Sequence, residues 1–174
     1  MSVPGPPRPA KLVVGFFLRQ RHLAETVVAR LEDLFGPVDI VSRWLPFDFT
    51  TYYEREMGGP LFRRVAAFKH LIAQEQLPDI KHQTNAVEAD FAAEGRRGIN
   101  VDPGYMLLER FVLATGKNFS HRIYLRRGIY ADLTLVYRKG RFESLPWTYP
   151  DYADARLQAF LYKVRRKYAL DLDA

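Results

Sequence analysis

The sequence predicts an α+β fold in one domain: a largely antiparallel sheet, about four helices, and an opening β-α-β unit of ferredoxin-like or split β-α-β kind. Three observations predict it. A β-rich apolar run, Lys11–Phe17 (KLVVGFF), reads as the first strand. Leu23, Val27, Leu31 and Leu34 follow at helical spacing and stop at Gly36-Pro37, a glycine after the helix and then a breaker. Further on, two alternating runs flank Arg126-Arg127-Gly128 as the arms of a hairpin would.

In chain order, residues 1–10 hold four prolines and are expected to form a disordered leader, leaving 11–174 as the domain. Asp39–Trp44 reads as the second strand. Gly59-Pro60 is expected to open a second helix, with Pro60 in its first turn and Leu61, Val65, Phe68 and Ile72 on one stripe. Asp79–Phe91 alternates at first, then spaces Val87 and Phe91 as a helix would, and stays ambiguous. Gly98–Val101 reads as a short strand. Asp102-Pro103-Gly104 then carries the signature of a helix start, with Asp102 as cap and Leu107, Leu108, Phe111 and Val112 as the buried stripe. A last helix begins near Pro150-Asp151 and is expected to bury Leu157, Phe160, Leu161, Val164 and Tyr168.

The hairpin His121–Tyr137 (HRIYLRRGIYADLTLVY) is the most informative segment. A two-residue loop, Arg127-Gly128, would put Arg122 opposite Leu133 and mix charge with apolar residues on both faces, which sheets with one buried face avoid. A three-residue loop, Arg126–Gly128, repairs this. It sets Leu125 opposite Ile129, Ile123 opposite Ala131 and His121 opposite Leu133 on an apolar face. The other face then carries Arg122 opposite Asp132, Tyr124 opposite Tyr130, and Thr134. Two readings fit that face. Arg122–Asp132 is either an exposed cross-strand ion pair, or part of a cleft in which Arg122 forks onto a phosphate or carboxylate and Asp132 orients it or acts as a base.

Composition narrows the chemistry. Hydrophobic residues make up 48% of 174, enough for a core, and aromatics 14%, most of which should be buried. There is no cysteine, which excludes disulfides, thiol nucleophiles and Cys-ligated metal and suits the cytoplasm. The four histidines stand at no metal-ligand spacing, and no apolar run is long enough to span a membrane. A net charge of +6 favours anionic partners. The one dense basic cluster, Lys163, Arg165, Arg166 and Lys167, reads as a solvated helix face or as an RNA contact. Phosphate-loop, dinucleotide-binding, nucleophile-elbow and zincin motifs are all absent from the sequence.

Other polar groups are spread along the chain. Lys81, Thr84, Asn85 and Glu88 share a face if their segment is helical. Trp147–Tyr152 (WTYPDY) reads as an aromatic lid around a turn. These segments resemble those of a bacterial family, domain of unknown function 4416. The likeness rests on Tyr52-Tyr53 with Glu56-Met57-Gly58, Ile80-Lys81 with Thr84-Asn85 and Glu88, and Asn100-x-Asp102-Pro103-Gly104-Tyr105. It continues through Leu113-Ala114-Thr115, Lys117-Asn118, His121-Arg122-x-Tyr124, Gly128-Ile129-Tyr130, Thr134-Leu135 and Trp147–Tyr152, and departs at Asp132, where the pattern has Glu. A signature this polar implies a site.

The expectation is therefore a pocket on one sheet face for a phosphate-bearing small molecule or nucleotide. Lys81, Arg97, Lys117 and Arg122 would neutralise the anion, with Asn85, Asn100 and Thr134 as further ligand-binding groups and Tyr124 and Tyr130 shaping the pocket. Glu88 and Asp132 would hold Mg²⁺ or act as catalytic base. The alternatives are an RNA-binding module without catalysis, or a structural or assembly protein.

Overall fold

A computed structural model describes residues 1–93 and 95–173. Among these residues it has nine strands: β1 (Ala10–Leu18), β2 (Val38–Val41), β3 (Leu45–Pro46), β4 (Phe62–Ile72), β5 (Ile99–Met106), β6 (Arg110–Thr115), β7 (Arg122–Arg126), β8 (Ile129–Arg138) and β9 (Arg141–Ser144). The α-helices among the described residues are α1 (Ala24–Phe35), α2 (Glu54–Met57), α3 (Leu77–Asp90), α4 (Pro150–Ala153) and α5 (Ala155–Leu172). All strand pairs are antiparallel, in the order β2-β4-β1-β5-β6-β8-β7, with β3 beside β4 and β9 beside β8. This is an α+β domain built on one large sheet.

The sheet separates two cores. Leu12, Val14, Phe16 and Leu18 of β1 point to one face, where Val27 and Leu31 of α1 and Ile80 and Val87 of α3 cover them. Val13, Val65, Ala67 and Phe111 point to the other face, under Leu157, Phe160, Leu161, Val164 and Tyr168 of α5. Those five α5 residues are the stripe expected from spacing, and Asp154 caps the helix by accepting from the Arg156 N–H at 2.8 Å. α1 stops at Gly36, whose φ of +83° suits glycine.

Two expected helices are strands. Phe62–Ile72 is β4, an interior strand between β2 and β1, and both of its faces are buried: Val65 and Ala67 on one, Ala66 and Phe68 on the other. A strand covered on both sides has no alternation to show, so the spacing of Leu61, Val65, Phe68 and Ile72 imitated a helix. The second error is at Asp102. β5 runs straight through Asp102-Pro103-Gly104 to Met106 and returns as β6, so Asp102 caps nothing. The ambiguous segment is helical, as α3.

The β7–β8 hairpin keeps the expected pairs Arg122–Asp132, Ile123–Ala131 and Tyr124–Tyr130. Its turn differs from the three-residue loop. Arg126 pairs with Ile129 across a two-residue turn of Arg127 and Gly128, at φ +53° and +75°. Both central residues are left-handed, the geometry whose twist matches paired strands. A bulge at Leu125 absorbs the extra residue and restores the register. β7 is an edge strand, so Ile123 is 70% exposed and Leu125 38%, and the apolar face is buried only from β8 inward.

The start of β1 and the last turn of α5 are tied together. Lys11, fully buried, donates to Asp39 of β2 and Asp171 of α5, each at 2.6 Å, and Tyr168 donates to the Pro9 carbonyl at 2.6 Å. Residues 1–9 hold neither helix nor strand.

Candidate functional site

β5 pairs with β6 only over Gly104–Met106, and the two strands part below that rung. The gap exposes the β5 backbone to α3 on the far face. Val101 donates its N–H to Glu88 Oε1 at 2.6 Å and accepts from Lys81 Nζ at 2.9 Å. Two α3 side chains thus take the place of the missing strand, which gives both Glu88 and Lys81 a structural task. Burial raises the Glu88 carboxyl above its usual range, against the pull of Lys81 and the Val101 N–H.

Through the same gap Lys81 Nζ lies 3.9 Å from Asp102 Oδ1. Asp102 stands on the opposite face, where Asn100 donates to its Oδ2 at 2.8 Å. Asn100 in turn accepts from Arg97, whose other donors form a two-pronged bond to Glu56 at 2.9 Å. That bond holds the Glu56 carboxyl below its usual range. The carboxylate of Asp102 is felt by the phenols of Tyr53, Tyr149 and Tyr152; burial first, then this charge, pushes Tyr53 up to about 12. Asp102 is therefore a half-open carboxylate among three phenols that stay protonated. Reading it as a cap hid it. The signal was its alternation with Asn100.

Beyond β6, on β8 and β7, stands the second cluster. Asp132, 1% exposed, accepts from Arg122 Nε at 2.9 Å and from His121 Nε2 at 3.2 Å through one oxygen, Oδ2. Each of the other two Arg122 nitrogens has one partner: they donate to the Lys117 carbonyl at 2.9 Å and the Tyr149 hydroxyl at 2.5 Å. His121 is not the apolar-face core histidine that its register suggested. It precedes the strand, its ring turns to Asp132, and it stacks on Trp147 with centroids 4.8 Å apart. Thr134, fully buried, hydrogen-bonds Asp132 and accepts at its carbonyl from Thr148 at 2.5 Å, so it anchors the cover rather than facing a ligand.

That cover is the strap Trp147–Tyr152. Trp147 donates to the Leu133 carbonyl at 2.8 Å, Tyr149 meets Arg122, and Asp151 meets Arg63 of β4. The strap was expected as an aromatic lid, but its contacts with the charged groups were not legible.

Of the predicted site residues, the structure joins Lys81, Glu88, Arg97 and Asn100 on the β5 side, and Arg122, Asp132 and Thr134 on the β8 side. Tyr124 and Tyr130 form an edge-to-face pair at 5.3 Å, with Tyr124 largely exposed. Asn85 is exposed on α3. Lys117 is exposed, 5.3 Å above the Tyr52 ring, with no carboxylate within salt-bridge range among the described residues. Glu88 and Asp132 serve different clusters, and among the described residues no three His, Asp or Glu gather as a metal site needs. A cavity of about 330 Å³ opens on the outer side of Arg97, between Arg19, Glu54 and Arg96. Among the described residues no helix is long and apolar enough to cross a membrane.

The sequence model of a family described as Domain of unknown function (DUF4416) matches residues 8–168. No curated protein and no solved structure matches the chain.

Proposed function

The chain belongs to the DUF4416 family, whose description names no activity, and from its own residues we propose that it binds a phosphate-bearing small molecule or nucleotide over the gap between β5 and β6. One observation carries the reading: the Tyr149 phenol feels both Arg122 and Asp102, which ties the β8 side and the β5 side into one polar patch. On the β5 side Asp102 Oδ1 makes no hydrogen bond among the described residues; on the other side stand Arg122 and Lys117, which has no carboxylate within salt-bridge range among them.

The roles follow from chemistry. Asp132 holds Arg122 by Nε, which leaves the Tyr149 phenol as its replaceable partner. A phosphate oxygen in that place would make a charge-assisted bond, roughly twice as strong as a neutral one. Lys117 adds a second positive charge, and Asp102 suits a ligand hydroxyl. His121, oriented by Asp132 through Nε2, keeps Nδ1 for proton transfer should the ligand react. Mg²⁺ enters this reading with the phosphates, through a single carboxylate, as it commonly binds.

The order β2-β4-β1-β5, with α1 and α3 on one face, supports reading the first half as ferredoxin-like, with β6–β9 added at its edge. A cysteine-free chain suits the cytoplasm, where we place it. The RNA reading draws less support. Arg165 lies on the Tyr137 ring and Lys167 pairs with Asp39 and Asp171, so only Lys163 and Arg166 of that cluster face outward.

A thermal-shift screen of nucleotides and sugar phosphates, with and without Mg²⁺, tests the proposal. A ligand at a hundred times its Kd should stabilise the fold by ~2.7 kcal/mol, a shift of a few degrees. Lys117→Ala should leave the unliganded melting temperature unchanged and reduce the ligand's shift. No response to any phosphorylated compound would sink the reading.

A further inference from the structure

Arg63 of β4 takes no part in the site just proposed, and its surroundings are those of an unfinished ion pair. Its side chain is 2% exposed, and it pairs through Nη1 with Asp151, its one salt-bridge partner among the described residues. The guanidinium lies over Gly15 of β1, where a Cβ would come within 2.8 Å of Nη2 and 3.3 Å of the Tyr152 hydroxyl. The Tyr152 ring covers it at 4.4 Å and Phe47 stands at 5.9 Å. Among the described residues Nε and Nη2 make no hydrogen bond, nor does the Tyr152 hydroxyl beside them, although all three are buried.

A buried guanidinium that serves only structure is saturated, because each buried unmade hydrogen bond costs roughly 1–3 kcal/mol. The open nitrogens are not a random pair. Nε and Nη2 form the side edge of the fork, which takes two oxygens of a carboxylate or phosphate at once. Tyr152 adds a third donor beside Nη2, and burial pushes its phenol up to about 12, so it remains protonated. Asp151 itself comes from the strap, through the one-turn α4, and not from a strand of the core.

We propose that Arg63 and Tyr152 form an oxyanion site that Asp151 holds in check: a phosphate-sized oxyanion takes the Nε–Nη2 edge and the Tyr152 hydroxyl, and Asp151, on Nη1, gives up the guanidinium charge to it. Gly15 leaves the room that the guanidinium occupies, since a Cβ there would clash with Nη2. The strap also carries Trp147 and Tyr149, so release of Asp151 loosens the cover over His121 and Arg122 as well.

The test is titration with inorganic phosphate, by calorimetry and by melting, of the wild type, Asp151→Asn and Tyr152→Phe. Asp151→Asn is expected to bind phosphate at least ~10-fold more tightly than wild type, about 1.4 kcal/mol, and adding Tyr152→Phe should reverse most of that gain. Tyr152→Phe alone should melt at or above the wild-type temperature, since its hydroxyl lies beside Arg63 without a well-aligned hydrogen bond among the described residues. A lower melting temperature for Asp151→Asn with no phosphate-dependent recovery overturns the inference. Should Asp151→Asn not fold, Tyr152→Phe in the wild-type background decides: phosphate binding weakened ~10-fold supports the site, and unchanged affinity removes it. A sugar phosphate that shifts the wild type, loses its effect in Lys117→Ala and is indifferent to Asp151→Asn would leave the gap site standing and this one refuted. Phosphate binding by Asp151→Asn, with no wild-type response to any phosphorylated compound, would do the reverse.

Discussion

Glu88 is buried to make one bond, to the Val101 N–H, and its ionisation suffers for it. A carboxyl raised above its unfolded value contributes stability that is full below the unfolded pKa and is lost as pH rises through the folded one. Glu88→Gln keeps an oxygen for Val101 and removes the charge. It should match or exceed the wild type in urea unfolding at neutral pH, and the fall in stability just above the ordinary Glu range should flatten. If the variant is much weaker at neutral pH, the charge on Lys81 or Arg97 needs Glu88 more than Val101 does. At this scale the sequence was legible in part. Arg122 and Asp132 could be paired because alternation places them, whereas Asp102, Tyr53 and Tyr149 meet only because β5 runs on through Pro103 and the strap folds back. An Asp-Pro-Gly string favours a helix start on local grounds, and sheet pairing overrode it.

Between β7 and β8 the surplus residue is Leu125, and this makes an unusual contrast. Deleting Leu125 removes the bulge, leaves Arg126–Ile129 and Arg122–Asp132 in register, and should move the melting temperature little. Deleting Ile123, although it is the more exposed of the two, turns Arg122 to the other face and strands the buried Asp132. That should cost about 1–3 kcal/mol or more in thermal or urea unfolding, and with it any response to phosphorylated ligands. Equal tolerance of both deletions would show the register to be loose. The element was readable from its polar face alone. The choice of turn was not, because a bulge can give either loop length the same pairing farther out. β4 was unreadable for a different reason: a strand covered by α1 on one side and α5 on the other carries no period of two.

Over the whole molecule, the fold closes around Lys11. Burial raises the carboxyls of Asp39 and Asp171, but the bonds from Lys11 and Lys167 outweigh it and hold both below their usual value. Such groups contribute stability above the ordinary Asp range that disappears as pH falls through their lowered values. Lys11→Met leaves the two acids facing an apolar chain and should cost ~3 kcal/mol at neutral pH, with the gap from wild type narrowing in acid. A gap independent of pH would assign the loss to packing. Class could be read in advance for α1, α5 and the β7–β8 hairpin, since each keeps a polar side. The central strands and the contacts between segments far apart in the chain could not. The Tyr168 hydroxyl on the Pro9 carbonyl, and Asp171 on Lys11, set the first strand and the last helix side by side. A short bridge could therefore join the start of β1 to the end of α5, and the exposed Arg127-Gly128 turn would offer a place to cut, giving a rearranged chain with the same core.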